Sequence, residues 1–171
     1  MKILIVGISG AGKSTLAREL SSALGICLHH LDAIFWKPGW KMPQTDEWIQ
    51  KLNELVSEAS WVIDGNFASS YSVLMPVSDM IVVMELPRHL ALYRVLKRTL
   101  LTRLGLELRA DLPIGCPEKL DTEFLKYIWN FTRDRHQLLN DAIREFGSDA
   151  KVFHLRTRAD IKAFKAGLGV F

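Results

Sequence analysis

Three groups of side chains are of the types that handle phosphate: a glycine-rich turn with a lysine and a hydroxyl at Gly7-x-x-x-x-Gly12-Lys13-Ser14, aspartates at Asp32 and Asp64, and spaced arginines at Arg94, Arg98, Arg133, Arg135 and Arg156. Glycines at Gly7, Gly10 and Gly12 let the backbone turn with φ > 0, which aims successive N–H groups at a phosphate. Lys13 adds a mobile cation for the β- and γ-phosphates of a nucleotide, and Ser14 a hydroxyl for Mg²⁺. A glycine-rich turn alone says little. Here the apolar run Ile3, Leu4, Ile5, Val6 precedes it and Leu16, Ala17, Leu20, Ala23 and Leu24 follow at helical spacing, the strand–loop–helix context that phosphate binding requires. The expected nucleotide-phosphate set is Gly7, Ser9, Gly10, Ala11, Gly12, Lys13, Ser14 and Thr15.

Phosphoryl transfer asks a protein for placement and positive charge more than for covalent chemistry. Arg94 and Arg98, four apart, share one helical face, either beside the phosphate pocket or as a solvated basic face. Arg133 and Arg135, two apart, point in different directions on a helix, so one at most faces the transferring phosphate. Asp32 follows the second expected strand and Asp64 ends the third. An acid at a strand's carboxyl end points into the ligand crevice, where it holds Mg²⁺-bound water or orients an acceptor hydroxyl. The alternative for each is a turn or cap aspartate, and Asp64-Gly65-Asn66 fits such a turn. Our reading assigns Asp32 to the acceptor and Asp64, with Ser14, to the metal.

Other residues read as structure first. His29 and His30 are strand neighbours facing opposite ways, and two ligands without a third make no metal site. Trp36 and Trp40 either close a small core or stack on a planar acceptor. Arg156 and Arg158, after the last expected strand, either flank a nucleobase or lie in solvent.

Positioning these groups falls to an alternation of strand and helix, which predicts an α/β fold: a five-stranded parallel sheet flanked by helices. Strands are expected near Lys2–Val6, Ile26–His29, Trp61–Ile63, Met80–Glu85 and Val152–His154. Helices are expected over Lys13–Leu24, about Thr45 to Glu58, His89–Thr102, Thr122–Phe146 and Asp160–Lys165, with Thr45 as the N-cap before Asp46 and Glu47. Two intervals, Ala33–Gln44 and Arg103–Asp121, exceed the usual βα connection. The first opens an acceptor-side flap over 33–60 and the second a lid over about 103–121, since long connections at this edge are where ligands sit and covers move.

Size and composition fit one domain over 1–171, with 49% hydrophobic residues for a full core. A net charge of +3 and an isoelectric point near 8.9 are mildly basic. No helix-turn-helix signal, zinc-finger spacing or basic stripe supplies a reader of nucleic acid. Cys27 and Cys116 lack metal-ligand spacing, which points to reduced thiols. The first residues read as strand and loop rather than a signal peptide, and no segment approaches a bilayer span, so a cytoplasmic protein without a membrane partner is expected. The pattern sets no oligomeric state.

With these residues laid out, the chain resembles the adenylate-kinase-like branch of P-loop kinases. Gly7 to Ser14 is similar to that family's phosphate loop, and Asp64-Gly65 to the opening of its Asp-Gly-Phe-Pro-Arg segment. Leu86-Pro87 followed by Arg94 and Arg98 resembles a strand ending in Val-Pro before a helix that presents Arg-x-x-x-Arg. The resemblance implies a P-loop NTPase fold with a lid, ATP and Mg²⁺, and transfer of the γ-phosphoryl group to a small acceptor. It implies Arg94 and Arg156 beside adenine, Arg98 on the phosphates, and Arg133 or Arg135 as a lid arginine. Asn66-Phe67-Ala68 replaces Phe-Pro-Arg, which removes the arginine that clamps a monophosphate acceptor and argues against AMP. Leu31-Asp32-Ala33, Trp36 to Trp40, Ile63 to Asn66 and Lys97-Arg98-Thr99 are also similar to small bacterial topology modulation proteins. That similarity implies an alternative role, a nucleotide-dependent regulator with little turnover acting on DNA or a protein.

Overall fold

A computed structural model describes residues 1–106, 113–117 and 120–170, the side chains of 132–134 excepted. Its strands are β1 (Lys2–Gly7), β2 (Cys27–His30), β3 (Trp61–Asp64), β4 (Met80–Met84) and β5 (Lys151–Leu155). They form one parallel sheet in the order β2-β3-β1-β4-β5. The central strands are apolar on both faces because helices cover both. Ile3, Ile5, Val62, Val82 and Met84 pack against α1 (Lys13–Leu24), α5 (Arg88–Arg103), α6 (Thr122–Asp134) and α8 (Arg158–Gly167). Leu4, Val6, Ile63, Ile81 and Val83 pack against α2 (Leu31–Phe35), α3 (Thr45–Val56), α4 (Tyr71–Leu74) and α7 (His136–Phe146).

The sheet and its flanking helices are as expected, with strand and helix ends moved by a residue or two. Three features differ. The helix expected over Thr122–Phe146 breaks at Arg135, whose N–H closes α6 on the Phe131 carbonyl and whose carbonyl opens α7 to the Leu139 N–H, both at 2.9 Å. The break follows from packing: Ile128 and Phe131 bury in one core cluster, Leu139 and Ala142 in the other. A single straight helix presents one apolar stripe and cannot serve both. Thr45 is not the cap of α3 either; Gln44 takes that position without a side-chain bond, and Thr45 is already helical. Asp32, expected in a connection, lies in α2, which starts directly after β2.

The two long intervals meet. Gly39 N–H donates to the Gly115 carbonyl at 3.0 Å, Trp40 Nε1 to the Pro117 carbonyl at 3.0 Å, and the buried Cys116 thiol to the Lys37 carbonyl at 3.2 Å. The rest of the expected lid, 107–112 and 118–119, lies outside the described residues. Among the described residues no helix is long and apolar enough to cross a membrane.

Candidate active site

β1 runs into the glycine-rich turn, and Gly12, at φ 100°, caps α1 with no side-chain bond to its first turn. A helix start without a side-chain cap leaves N–H groups for a ligand, with the helix dipole favouring an anion. The turn rests on α5: at Gly10, φ 84°, a Cβ would stand 2.8 Å from the Ala91 carbonyl oxygen. One turn of α5 further, Arg94 Nη1 donates to the Gly10 carbonyl at 3.5 Å. Lys13 folds across the loop, its ammonium 3.1 Å from the Ile8 carbonyl.

Parallel pairing of β1 with β3 sets Ile5 opposite Asp64 and so brings that acid beside the loop. Ser14 Oγ donates to Asp64 Oδ2 at 2.7 Å. Asp64 is only 4% exposed, and its other oxygen meets His30 Nδ1. His29, facing the other way, pairs with Glu58 Oε2 at 3.0 Å, so both histidines make side-chain pairs rather than a metal site. A glycine-rich turn at a helix start without a side-chain cap, with an ammonium, a hydroxyl and a carboxylate beside it, fits Mg·ATP. Among the described residues no group of three or more His, Cys, Asp or Glu could hold a metal alone. A Mg²⁺ held by Ser14 and Asp64 would therefore complete its shell from phosphate and water.

Arg98 lies half-buried one turn beyond Arg94 on α5. Arg133 belongs to α6, but its side chain lies outside the described residues. Arg156 is held by Glu85, with Nε donating to Oε2 at 2.5 Å. His154 Nδ1 lies 2.7 Å from Glu85 Oε1, and His136 Nε2 lies 3.7 Å from it. Burial pushes the Glu85 carboxyl up, but Arg156 and His154 outweigh it and hold the group below its ordinary range. Glu85 stands just past β4 and lines a cavity of about 670 Å³ with Gly7, Ile8, His136 and Arg156. Our sequence reading missed its role, although the strand-end rule that found Asp32 and Asp64 applies to it equally.

On the β2 side, Gly65 packs so closely on α2 that a Cβ would lie 2.5 Å from the Leu31 Cβ. Asn66 follows. Tyr71 donates its hydroxyl proton to Asn66 Oδ1 at 2.7 Å, and Asn66 Nδ2 donates to the Tyr127 oxygen at 3.3 Å. Burial pushes both phenols up, so they stay neutral; Arg135 acts on both and Asp32 on Tyr127. Phe35, three residues after Asp32 on α2, packs at a tilt against Phe67 with ring centroids 4.3 Å apart, and meets Trp36 and Trp48 edge-on at 4.9 Å. Trp36 meets Trp40 at 5.6 Å, so the tryptophans build the small core expected of them. Our sequence reading missed Tyr71, five residues from Asn66, and nothing in local spacing signalled Tyr127, 61 residues from it.

Residues 3–101 match the family model described as an AAA domain. The chain belongs to that family. No curated relative matches this AAA-domain chain in sequence. Solved structures share its fold. A shikimate kinase from Acinetobacter baumannii, in complex with shikimate, has 18% identity and a TM-score of 0.62, covering 98% of this chain and 93% of that one. A putative kinase from Chloroflexus aurantiacus has 16% identity and a TM-score of 0.58, covering 98% and 96%. A deoxyadenosine kinase from M. mycoides with bound dATP has 16% identity and a TM-score of 0.57, covering 99% of both chains. At such identities the likeness is one of fold, the α/β P-loop fold of kinases.

Proposed function

We propose that this protein is an ATP-dependent phosphotransferase that moves the γ-phosphoryl group to a hydroxyl of a small acceptor. The observation that carries the reading is the 2.7 Å bond from Ser14 Oγ to Asp64 Oδ2, which ties the phosphate loop to the acid ending β3. In this reading Gly7 and Ser9 to Thr15 cradle the phosphates, Lys13 exchanges the Ile8 carbonyl for the β- and γ-phosphate oxygens, and Arg94 and Arg156 border the base. Mg²⁺, held through Ser14 and Asp64, supplies Lewis-acid neutralisation of phosphate charge. Arg98 and Arg133 offset charge on the transferring group, and Asp32 orients the acceptor hydroxyl and takes its proton. Residues 33–60 act as flap and about 103–121 as lid over one domain, and the hydrogen bonds of Gly39 and Trp40 to Gly115 and Pro117 support their working together. A shikimate kinase and a deoxyadenosine kinase among the structural neighbours agree with a small hydroxyl acceptor.

The test is ADP release from Mg·ATP against nucleoside monophosphates, nucleosides, sugars and hydroxy acids, with hydrolysis by water subtracted. An acceptor-stimulated rate is expected. Tight ATP binding with the same background rate throughout the panel would reject transfer and favour the nucleotide-dependent regulator that the topology modulation resemblance implies.

A further inference from the structure

We infer that the acceptor is a ring compound with vicinal hydroxyls and no phosphate, either a sugar or the sugar of a nucleoside, read by Asn66 and Tyr127 beside Asp32. The inference rests on the phosphotransferase reading above. It starts from the locked amide of Asn66, whose oxygen accepts from Tyr71 at 2.7 Å and whose nitrogen donates to the Tyr127 oxygen at 3.3 Å. Tyr127 accepts in that bond, so its own O–H proton stays available, with no acceptor among the described residues. Asp32 follows Leu31 on α2, and Leu31 packs on Gly65, the residue before Asn66, where a Cβ would lie 2.5 Å from the Leu31 Cβ. This wall therefore presents an O–H donor and the second amide N–H of Asn66, both uncharged, next to the carboxylate that takes the acceptor's proton.

Apolar surface completes the picture. Phe35 shares α2 with Asp32, Phe67 follows Asn66, and both are half-buried with centroids 4.3 Å apart. A sugar ring matches such a surround, since it offers hydroxyls at its edge and C–H groups on its faces. A phosphate monoester does not. Its charge would lie near the Asp32 carboxylate against neutral donors, and Arg135, the described cation acting on both phenols, is exposed and screened by water. In the transfer, the acceptor oxygen forms a bond to the γ-phosphorus as the bond from that phosphorus to the β–γ bridging oxygen breaks. ADP leaves with that electron pair, and the hydroxyl proton passes to Asp32.

The experiment measures ADP release by the full chain from Mg·ATP with D-ribose, D-glucose, adenosine, adenosine 5′-monophosphate and glycerate as probes. A sugar or the nucleoside should accelerate release at least about tenfold while the monophosphate does not. Tyr127→Phe keeps the ring beside Phe124 and Phe131 and should raise KM for the accelerating probe about tenfold, leaving KM for Mg·ATP unchanged. Acceleration by adenosine 5′-monophosphate equal to that by adenosine, or by glycerate alone, overturns the acceptor class and leaves phosphotransfer standing. An unchanged acceptor KM in Tyr127→Phe overturns the reading by Tyr127. No acceleration by any probe, in a chain that binds Mg·ATP, overturns both this inference and the proposed function.

Discussion

Gly10→Ala tests whether the phosphate loop is shaped by its seat on α5. At φ +84° an alanine enters the left-handed region, at a cost of about 1–2 kcal/mol. Its Cβ would also stand 2.8 Å from the Ala91 carbonyl oxygen and 3.1 Å from Val95 Cγ2. Backbone on one side and a buried side chain on the other leave little room to yield, which adds an overpacking cost of about 1–3 kcal/mol. The sum is about 2–4 kcal/mol after a small gain from a stiffer unfolded chain. Gly25→Ala isolates the first term, because φ there is +65° and a Cβ would meet nothing within 4 Å. Urea unfolding of both variants should therefore separate them by about 1–3 kcal/mol. Lifting the loop from α5 also breaks the Arg94 bond to the Gly10 carbonyl, so Mg·ATP titration should show weaker binding for Gly10→Ala and none of this loss for Gly25→Ala. Equal destabilisation of the two, with equal ATP affinity, would refute the packing argument.

Three further outcomes follow from the same geometry. Lys13→Ala removes a part-buried hydrogen bond to the Ile8 carbonyl, so the unfolding free energy should change by only about 1 kcal/mol while phosphoryl transfer falls by at least about a hundredfold; undiminished turnover would contradict the role of the lysine. Asp64→Asn takes the charge from beside Ser14 and His30, and the Mg²⁺ concentration needed for half-maximal ATP binding should rise about tenfold, an unchanged midpoint counting against a metal role. Glu85 has a folded pKa below its ordinary 4.5. Its stabilisation is therefore present above that value and lost as pH falls through the lowered one. Melting temperatures of Glu85→Gln followed from about pH 7 to about pH 3 should fall less steeply than those of the parent, and parallel curves would remove Glu85 from the acid limb.

The sequence by itself determined the features whose signals lie within a few residues of one another. The strand–turn–helix around Gly7 to Ser14 was legible because β1, the glycines and the first turn of α1 are contiguous, and their spacing is the chemistry. The parallel sheet was legible because apolar runs alternate with helical periods. Tertiary structure alone decided which distant groups meet. Placing β3 beside β1 sets Ile5 opposite Asp64 and lets Ser14 reach an acid 50 residues away. The transfer of the chain from one core cluster to the other breaks the expected long helix at Arg135, a competition between two buried faces that no helical period records. Glu85 gathers His136, His154 and Arg156 only because β4 and β5 are neighbours and α7 begins, at His136, beside the end of β4. Ala68 stands where the resembled family carries its clamping arginine, two residues after Asn66. The meeting of two neutral phenols at the Asn66 amide, Tyr71 from α4 and Tyr127 from α6, 61 residues away, is a property of packing, because the fold and not the spacing brings α6 to that amide.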